Sequence, residues 1–476
     1  YYRNTGALKS LSFYHWHKTL RKASLHPRKC WDHYNMSKQY LLTFLLLLTL
    51  ISCTKETRFE RLSSSQTGID FVNELVEDTT FNFLNYLYFY NGGGVAAGDI
   101  NNDGLEDLFF TSNQQKNKLY LNKGDLKFED VSESSGIEGQ TGSWSTGVTM
   151  ADVNADGLAD IYVCNVNYLS RTGRNELFIN NGDNTFTERG KDFGLDFKGY
   201  SVQSAFLDYD KDGDLDMFLL NHSVHSVDSY RPVDDREKFD PKSGDRLFRN
   251  DNGYFTDVTE SAGIYSSALG FGLGVVVSDI NNDGWPDIYV GNDFHEDDYL
   301  YINQQDGTFR ESIRSATQHT SQFTMGVDIA DINNDGEPDI AATDMLPEDE
   351  EILKISGGGD TYKVARIKQD YGYYPQYSRN MLQLKVADTE NGDPVYSEIG
   401  YLSGIEATDW SWSGLLADLD NDGYRDLFIS NGIYRRPNDM DYIRYISNQE
   451  VQRSLEEGIN PENLQLIQKM PQLKIP

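Results

Sequence analysis

Six copies of one short acidic stretch carry the residues of this chain that could do chemistry, and they begin at Asp99, Asp152, Asp208, Asp279, Asp331 and Asp418. Each copy reads Asp-x-Asx-x-Asp-Gly-x-x-Asp, so side-chain oxygens stand at positions 1, 3, 5 and 9. The glycine at position 6 permits a turn that gathers these oxygens around one point. Ca2+ takes six to eight oxygen ligands, including a backbone carbonyl at position 7, whereas Mg2+ prefers a tight octahedron and keeps its waters. The spacing therefore predicts calcium loops.

We predict up to six bound Ca2+ ions. The alternative is a set of metal-free turns, since Asp, Asn and Gly are common turn residues, but six copies in one arrangement favour metal. The predicted ligands, in loops 1 to 6, are Asp99, Asn101, Asp103, Leu105 and Asp107; Asp152, Asn154, Asp156, Leu158 and Asp160; Asp208, Asp210, Asp212, Asp214 and Asp216; Asp279, Asn281, Asp283, Trp285 and Asp287; Asp331, Asn333, Asp335, Glu337 and Asp339; Asp418, Asp420, Asp422, Tyr424 and Asp426.

Loops 3 and 6 carry Asp210 and Asp420 where the other four loops carry Asn, so we expect them to bind a hard cation more tightly. An EF-hand is excluded, because that motif needs a Glu at position 12 and flanking helices. Position 12 is apolar in all six copies and lies in runs such as Ile161-Tyr-Val and Leu427-Phe-Ile, which are typical of buried strands. Each calcium loop should therefore join two strands.

A second pattern, in which Lys118-Leu-Tyr-Leu-Asn122 is typical, follows each of the first five loops and precedes a turn and another aromatic strand. One unit is thus four short antiparallel strands. Units of this size in regular succession are the sequence signature of a β-propeller. We predict an all-β propeller of four-stranded antiparallel blades, with six repeats visible, seven blades in the full-length protein, and a short helical C-terminal segment.

Composition limits the partners. The formal net charge is −33 and the isoelectric point is about 4.5, so nucleic acid is not an expected partner, because binding a polyanion needs a basic face. The three cysteines, Cys30, Cys53 and Cys164, do not suggest a disulfide framework.

The start of the chain has the pattern of an exported lipoprotein. Residues 1–35 differ in composition from the rest and are expected to be a non-native upstream stretch, while residues 36–52 read as a signal peptide. Its apolar run is too short for a transmembrane helix. Leu50-Ile-Ser-Cys53 resembles a bacterial lipobox, which implies lipidation of Cys53 and anchoring to a bacterial outer membrane or cell surface; an ordinary signal peptide is the alternative. Residues 53–68 then form a polar tether.

The repeats resemble FG-GAP or VCBS repeats, the blades of integrin-alpha-type propellers. Phe271-Gly272 stands eight and seven residues before Asp279, as the name of the repeat requires. An aromatic holds the same place in four other copies, where we expect it to pack between blades: Trp144, Tyr200, Phe323 and Trp410. The resemblance covers residues 69–435 and is to bacterial lipoproteins often followed by an ASPIC/UnbV domain. Residues 436–476 are expected to be a helical insertion before a missing last blade, although closure by N-terminal residues is the alternative.

The order of the strands predicts on which face of the propeller the connections differ in length between blades. If every calcium loop joins strands one and two at one face, every connection from strand two to strand three lies at the opposite face. Those connections hold the long insertions, and binding residues concentrate on loops of a rigid scaffold. The candidate ligand-binding residues there are Tyr168, Arg171, His222, His225, Tyr230, Arg231, His295 and Tyr371. A hydrogen-bonded structural role is the alternative for the histidines, and packing is the alternative for the tyrosines.

The family resemblance implies adhesion or binding. We therefore expect a calcium-binding, lipid-anchored propeller that binds a glycan or protein, without catalytic residues. The first alternative is a propeller enzyme, a polysaccharide lyase or hydrolase with its site on the insertion face. The second is a structural partner in a membrane complex.

Overall fold

The computed structural model describes residues 59–224, 231–357, 359–456 and 459–472. The upstream stretch, the signal peptide, Cys53, His225 and Tyr230 lie outside these ranges, so the predictions about them stay predictions. Within the predicted tether, Ser64–Thr67 form one exposed helical turn.

Among the described residues, five four-stranded antiparallel sheets and one two-stranded antiparallel sheet follow one another along the chain as six blades, and a second two-stranded sheet lies beside the fifth blade. The first five blades pair their strands in chain order. The fold is all-β and propeller-like, as predicted. The strands are, in blade 1, β1 Val95–Gly98, β2 Asp107–Phe110, β3 Lys118–Asn122 and β4 Phe128–Asp130; in blade 2, β5 Ser145–Ala151, β6 Asp160–Asn165, β7 Glu176–Asn180 and β8 Phe186–Glu188; in blade 3, β9 Ser201–Leu207, β10 Asp216–Asn221, β11 Arg246–Asn250 and β12 Phe255–Asp257; in blade 4, β13 Gly272–Ser278, β14 Asp287–Asn292, β15 Tyr299–Asn303 and β16 Phe309–Glu311.

Blade 5 is interrupted by the longest insertion, one short strand of which pairs in parallel with a strand that precedes the blade. The parallel pair consists of β17 Thr320–Ser321 and β20 Gln376–Tyr377. Blade 5 consists of β18 Gly326–Ala330, β19 Asp339–Thr343, β21 Met381–Asp388 and β22 Pro394–Glu398, and blade 6 of β23 Ser411–Ala417 and β24 Asp426–Asn431. The sixth unit, which the sequence predicted to be incomplete, has two strands among the described residues.

Apolar residues on both sides of the second strands hold neighbouring blades together. β6, β10, β14 and β19 are buried along their whole length, because the adjacent blades cover both faces. Two residues after the position-9 aspartate, Phe109, Tyr162, Phe218 and Tyr289 of blades 1 to 4 are at most 2% exposed, and Ala341 of blade 5 is 1% exposed. Phe428 has the same place in blade 6 and is 41% exposed. The face of blade 6 that carries Phe428 is thus less covered by the described residues than the same face of blades 1 to 5.

The helices are short, and most lie between blades or in the insertions. One-turn helices follow the fourth strand in blades 1, 2, 4 and 5: Ser132–Ser135, Gly190–Phe193, Ile313–Ala316 and Gly400–Ser403. The others are Glu350–Ile355, Tyr362–Tyr371, Met440–Ile446, Gln449–Glu456 and Pro461–Gln468, with 3-10 helices at Leu87–Tyr90 and Val233–Glu237. Within the described ranges, no helix combines the length and the apolarity that crossing a bilayer requires.

The strand order gives the molecule two distinct faces. The six acidic loops each join the first and second strands of a blade, and we call their side the metal-loop face. The connections from second to third strands, including 166–175, 222–245 and 344–380, therefore leave at the other side, which we call the insertion face. A cavity of about 430 Å3 lies among the first strands of all six blades.

Candidate metal loops and the capped insertion face

The six acidic loops share one backbone conformation. Position 4 is left-handed in every loop, with φ between Ala155 at 57° and Asn334 at 60°. The glycine at position 6 is left-handed as well, from Gly104 at 85° to Gly213 at 98°. Glycine adopts this conformation without the steric cost of a Cβ atom. These two reversals turn the side chains of positions 1, 3 and 5 towards the inside of each loop.

Hydrogen bonds within loop 1 hold its carboxylates in place. Asp99 accepts from the backbone N–H of Asp103 through Oδ1 (3.0 Å) and from that of Gly104 through Oδ2 (2.7 Å). Asp103 Oδ1 accepts from the Leu105 N–H at 2.9 Å. The same three bonds recur in loops 2, 4, 5 and 6. The sequence motif thus encodes a preformed ring of oxygens.

The position-9 aspartates tie each loop to its blade. Asp107 accepts from the Ile100 N–H at 3.2 Å and from the Asn122 N–H at 2.7 Å, so it joins the start of the loop to the third strand. Burial raises the pKa of the equivalent Asp160 to about 6 and those of Asp216 and Asp287 to about 7. Burial thus disfavours the charged form of these carboxylates, and a cation bound nearby would favour it.

Loops 3 and 6 bring three carboxylates closest together. The candidate ligand oxygens of Asp208, Asp210 and Asp216 lie within 4.8 Å of one another, and so do those of Asp418, Asp420 and Asp422. Asp208 Oδ1 and Asp210 Oδ1 are shielded from solvent and accept no hydrogen bond from the described residues. Burial, and then the neighbouring Asp212 carboxylate, raise the pKa of Asp210. Shielded, unpaired carboxylate oxygens around one point fit a hard cation.

The FG-GAP-like repeat family matches residues 99–163, 166–219, 239–290 and 279–342, which contain loops 1 to 5. The chain is an FG-GAP repeat protein. It is 26% identical over 443 residues to cartilage acidic protein 1 of Homo sapiens, across 82% of this chain and 63% of that protein. The chain thus spans less than two thirds of this relative's length.

This FG-GAP repeat protein is also 41% identical over 93 residues to integrin alpha-6 of Gallus gallus, which covers 17% of this chain and 8% of the integrin. Among solved structures, an Agrocybe aegerita lectin superposes with a TM-score of 0.39 and 15% identity, covering 73% of this chain and 77% of the lectin.

The centre of the insertion face of this FG-GAP repeat protein is covered by residues 81–90, which we call the cap segment. Phe81, Tyr86 and Phe89 of the cap segment contact Trp144, with ring centroids 4.8, 6.0 and 5.1 Å away. Tyr88 reaches Phe271 of blade 4 at 6.5 Å. The cap segment belongs to one buried cluster that also holds Met325, Trp410 and, from the C-terminal helices, Tyr442 and Ile467. The aromatics at the FG positions therefore pack largely around the cap segment, at the end of the central cavity.

Three of the predicted ligand-binding residues lie against this cap segment. The His222 Nδ1–H donates to the Ser223 carbonyl (2.7 Å), and Nε2 accepts from the Tyr86 hydroxyl (2.9 Å). The His222 side chain is fully buried, and burial lowers its pKa to about 4. The Arg171 guanidinium lies 4.8 Å from the centre of the Phe81 ring, and Tyr168 contacts Tyr86 at 5.9 Å. These contacts give the three residues packing roles.

The remaining described candidates lie farther out, between the second, fourth and fifth insertions. His295 is buried against Tyr373 at 5.1 Å, and the Tyr373 hydroxyl donates to the Arg231 carbonyl at 2.6 Å. The Arg231 side chain is exposed and pairs with Asp235 at 3.4 Å. Tyr371 is partly exposed at the end of the helix Tyr362–Tyr371. The described candidates thus fall into two groups, one packed against the cap segment at the centre of the insertion face and one among the outer insertions.

A buried ionic network beneath these insertions was missed by the sequence reasoning. Arg236 of the second insertion bonds to Glu296 and lies 2.7 Å from Asp297 of the fourth insertion. Asp297 also pairs with Arg314 at 2.7 Å and accepts from the Tyr374 N–H at 2.9 Å. Three insertions are therefore held together by shared charges. No local sequence pattern indicates this network, because its members come from separate segments of the chain.

Proposed function

We propose that this FG-GAP repeat protein is a calcium-stabilised binding module, with one Ca2+ held by each of the six acidic loops. The observation that carries the proposal is the pair of shielded carboxylate oxygens on Asp208 and Asp210, which lack hydrogen-bond partners among the described residues. In each loop the side chains of positions 1, 3, 5 and 9 and the carbonyl of position 7 would hold the ion. When bound, calcium supplies positive charge that offsets the repulsion among these carboxylates.

The FG-GAP repeats, which the chain shares with integrin alpha chains, support a binding role. For the partner we propose a protein or glycan that contacts the outer insertions of the insertion face. The cap segment occupies the centre of that face, so contact would fall on the rim. The fifth insertion exposes several apolar and aromatic side chains there, namely Leu353, Ile355, Tyr362, Tyr371 and Tyr377. Exposed aromatic and aliphatic groups are what both protein partners and sugar rings contact.

Attachment to a bacterial outer membrane through lipidated Cys53 is part of the same proposal. It depends on the lipobox-like sequence that ends at Cys53. Several acyl chains give stable attachment, whereas a single chain binds a membrane only marginally.

A comparison of two matched surface variants tests the partner face. Tyr362→Ser combined with Tyr371→Ser changes the fifth insertion. Leu126→Ser combined with Tyr254→Ser changes similarly exposed side chains in turns between third and fourth strands, which lie on the metal-loop face but outside the calcium loops. We expect the first variant alone to lose binding in a glycan array and a surface-protein library, with calcium-dependent melting unchanged in both. Loss of binding only in the second variant would show that the partner contacts the metal-loop face.

A further inference from the structure

In four of the six acidic loops, the left-handed residue at position 4 reaches the next loop along the chain. Asn102 Nδ2 of loop 1 donates to the Gly157 carbonyl of loop 2 at 3.0 Å. Asn282 of loop 4 donates to the Gly336 carbonyl of loop 5 at 3.3 Å, and Asn334 of loop 5 donates to the Gly423 carbonyl of loop 6 at 2.9 Å. In each case the acceptor is the carbonyl of position 6. One side-chain amide thus links each of these pairs of loops.

Two of the junctions have related contacts. Lys211, at position 4 of loop 3, places its ammonium 4.7 Å from the ring centre of Trp285, at position 7 of loop 4. Asn282 also donates to the carboxylate of Glu337, at position 7 of loop 5, at 2.9 Å. Position 4 therefore contacts position 6 or 7 of the following loop at four of the five junctions, those after loops 1, 3, 4 and 5.

Ala155 is the exception. It holds position 4 of loop 2 with the same left-handed backbone, but its methyl group cannot donate a hydrogen bond to loop 3. In the described part of the chain, no side-chain hydrogen bond joins loops 2 and 3. The series of linked loops is therefore broken at this one junction.

The contact lies where it can transmit the state of one loop to the next. Position 4 stands between positions 3 and 5, whose side chains are predicted ligands, so an ion that fixes those two residues also fixes the direction of the position-4 amide. That amide holds the peptide group immediately before position 7, whose carbonyl is a ligand in loops of this kind. A loop filled with calcium should thus order the ligand carbonyl of the next loop before its ion arrives.

We propose that the position-4 side chains couple neighbouring calcium loops, so that loops 3 to 6 bind calcium as one linked series and loops 1 and 2 as a separate pair. This rests on the proposed calcium function. Because coupling between two sites is reciprocal and cannot exceed the strength of the contact that carries it, one exposed hydrogen bond should change the affinity of its neighbour by about fivefold. The position-4 residues act as positioning residues.

The junction between loops 5 and 6 offers the cleanest test, because Asn334 is its only side-chain link among the described residues. Titration of the full chain with calcium chloride, read by hydrogen exchange of each loop's backbone amides, gives one midpoint per loop. Asp418→Asn disables loop 6, and we expect it to raise the loop 5 midpoint about fivefold in the natural chain but not in the Asn334→Ala background. Asn421→Ala is the matched control, since Asn421 has the same conformation but no hydrogen bond to another loop among the described residues. It should leave loop 5 unchanged.

A gain of linkage keeps the proposal testable if the loop 6 variant does not fold. Ala155→Asn should lower the loop 3 midpoint, whereas Ala155→Gly, which eases the left-handed backbone without adding an amide, should not. Equal effects of Asp418→Asn with and without Asn334, or equal effects of the two Ala155 variants, would overturn the coupling while leaving calcium binding intact. If no loop gains protection on adding calcium, the calcium function itself is wrong, and the coupling fails with it.

Discussion

Asp298 offers a test of the electrostatics of the blades that does not involve the metal loops. It precedes the third strand of blade 4, where Oδ1 accepts from the Asn292 N–H (2.8 Å) and Oδ2 accepts from the Tyr289 hydroxyl (2.8 Å). In blade 2 the same place is held by an amide: Asn175 Oδ1 accepts from the Asn165 N–H, and Nδ2 donates to the Tyr162 hydroxyl at 3.0 Å. Asp298→Asn should therefore fit the site, with Oδ1 still accepting from the Asn292 N–H and with Nδ2 donating to the Tyr289 hydroxyl and to Thr324 Oγ1, both of which donate to Oδ2 of the natural aspartate.

The two side chains differ in charge. Burial raises the pKa of the Asp298 carboxyl from 3.8 to about 7. A raised pKa for an acid means that its contribution to stability is complete below pH 4 and is lost as the pH rises to about 7. From low to high pH, the contribution of Asp298 to the free energy of unfolding falls by about 4 kcal/mol in total. About 2–3 kcal/mol of this fall occurs between pH 5 and pH 8. The amide does not titrate, so we expect the gain in stability from Asp298→Asn to grow by about 2–3 kcal/mol between these pH values.

Urea unfolding at pH 5 and pH 8, with calcium in excess throughout, measures this difference. The reverse change in blade 2, Asn175→Asp, is the matched control and should lose stability as the pH rises. If Asp298→Asn is no more stable relative to the natural chain at pH 8 than at pH 5, the ionised carboxylate is accommodated in the blade and the reasoning from burial is wrong.

Three further predictions concern calcium and the membrane. Chelation should lower the melting temperature, because ions that bind only the native state at extracellular affinities add several kcal/mol in total; an unchanged melting curve after confirmed metal removal contradicts this. Asp210→Asn should weaken loop 3 by about 1–2 kcal/mol through the lost charge, and Asn154→Asp should strengthen loop 2, both measured by calorimetry. If both variants bind calcium with the affinity of the natural chain, the charge argument is wrong. Cys53→Ser should release the protein from membranes or leave its signal uncleaved, and a processed, membrane-bound variant would exclude lipidation.

The sequence by itself determined the blades and the acidic loops. Both are local features: each loop is built from nine consecutive residues whose glycine and Asx side chains fix the turn. The strands next to each loop are marked by their apolar runs, which are buried in the structure. Because neighbouring strands pair in chain order, strand parity was enough to separate the two faces. Repetition made these inferences secure, since each was supported by several copies.

Only the tertiary structure decided what covers the insertion face and how the loops touch. The Tyr86 hydroxyl and His222 are separated by 136 residues, and nothing in either local sequence indicates their contact. The dense run of aromatics in the cap segment was a signal that something apolar must be covered, but it did not reveal where. Asn102 and Asn334 likewise appear in sequence as variable residues between ligands. Their roles depend on the distance between adjacent blades, which packing of the side chains between the sheets determines.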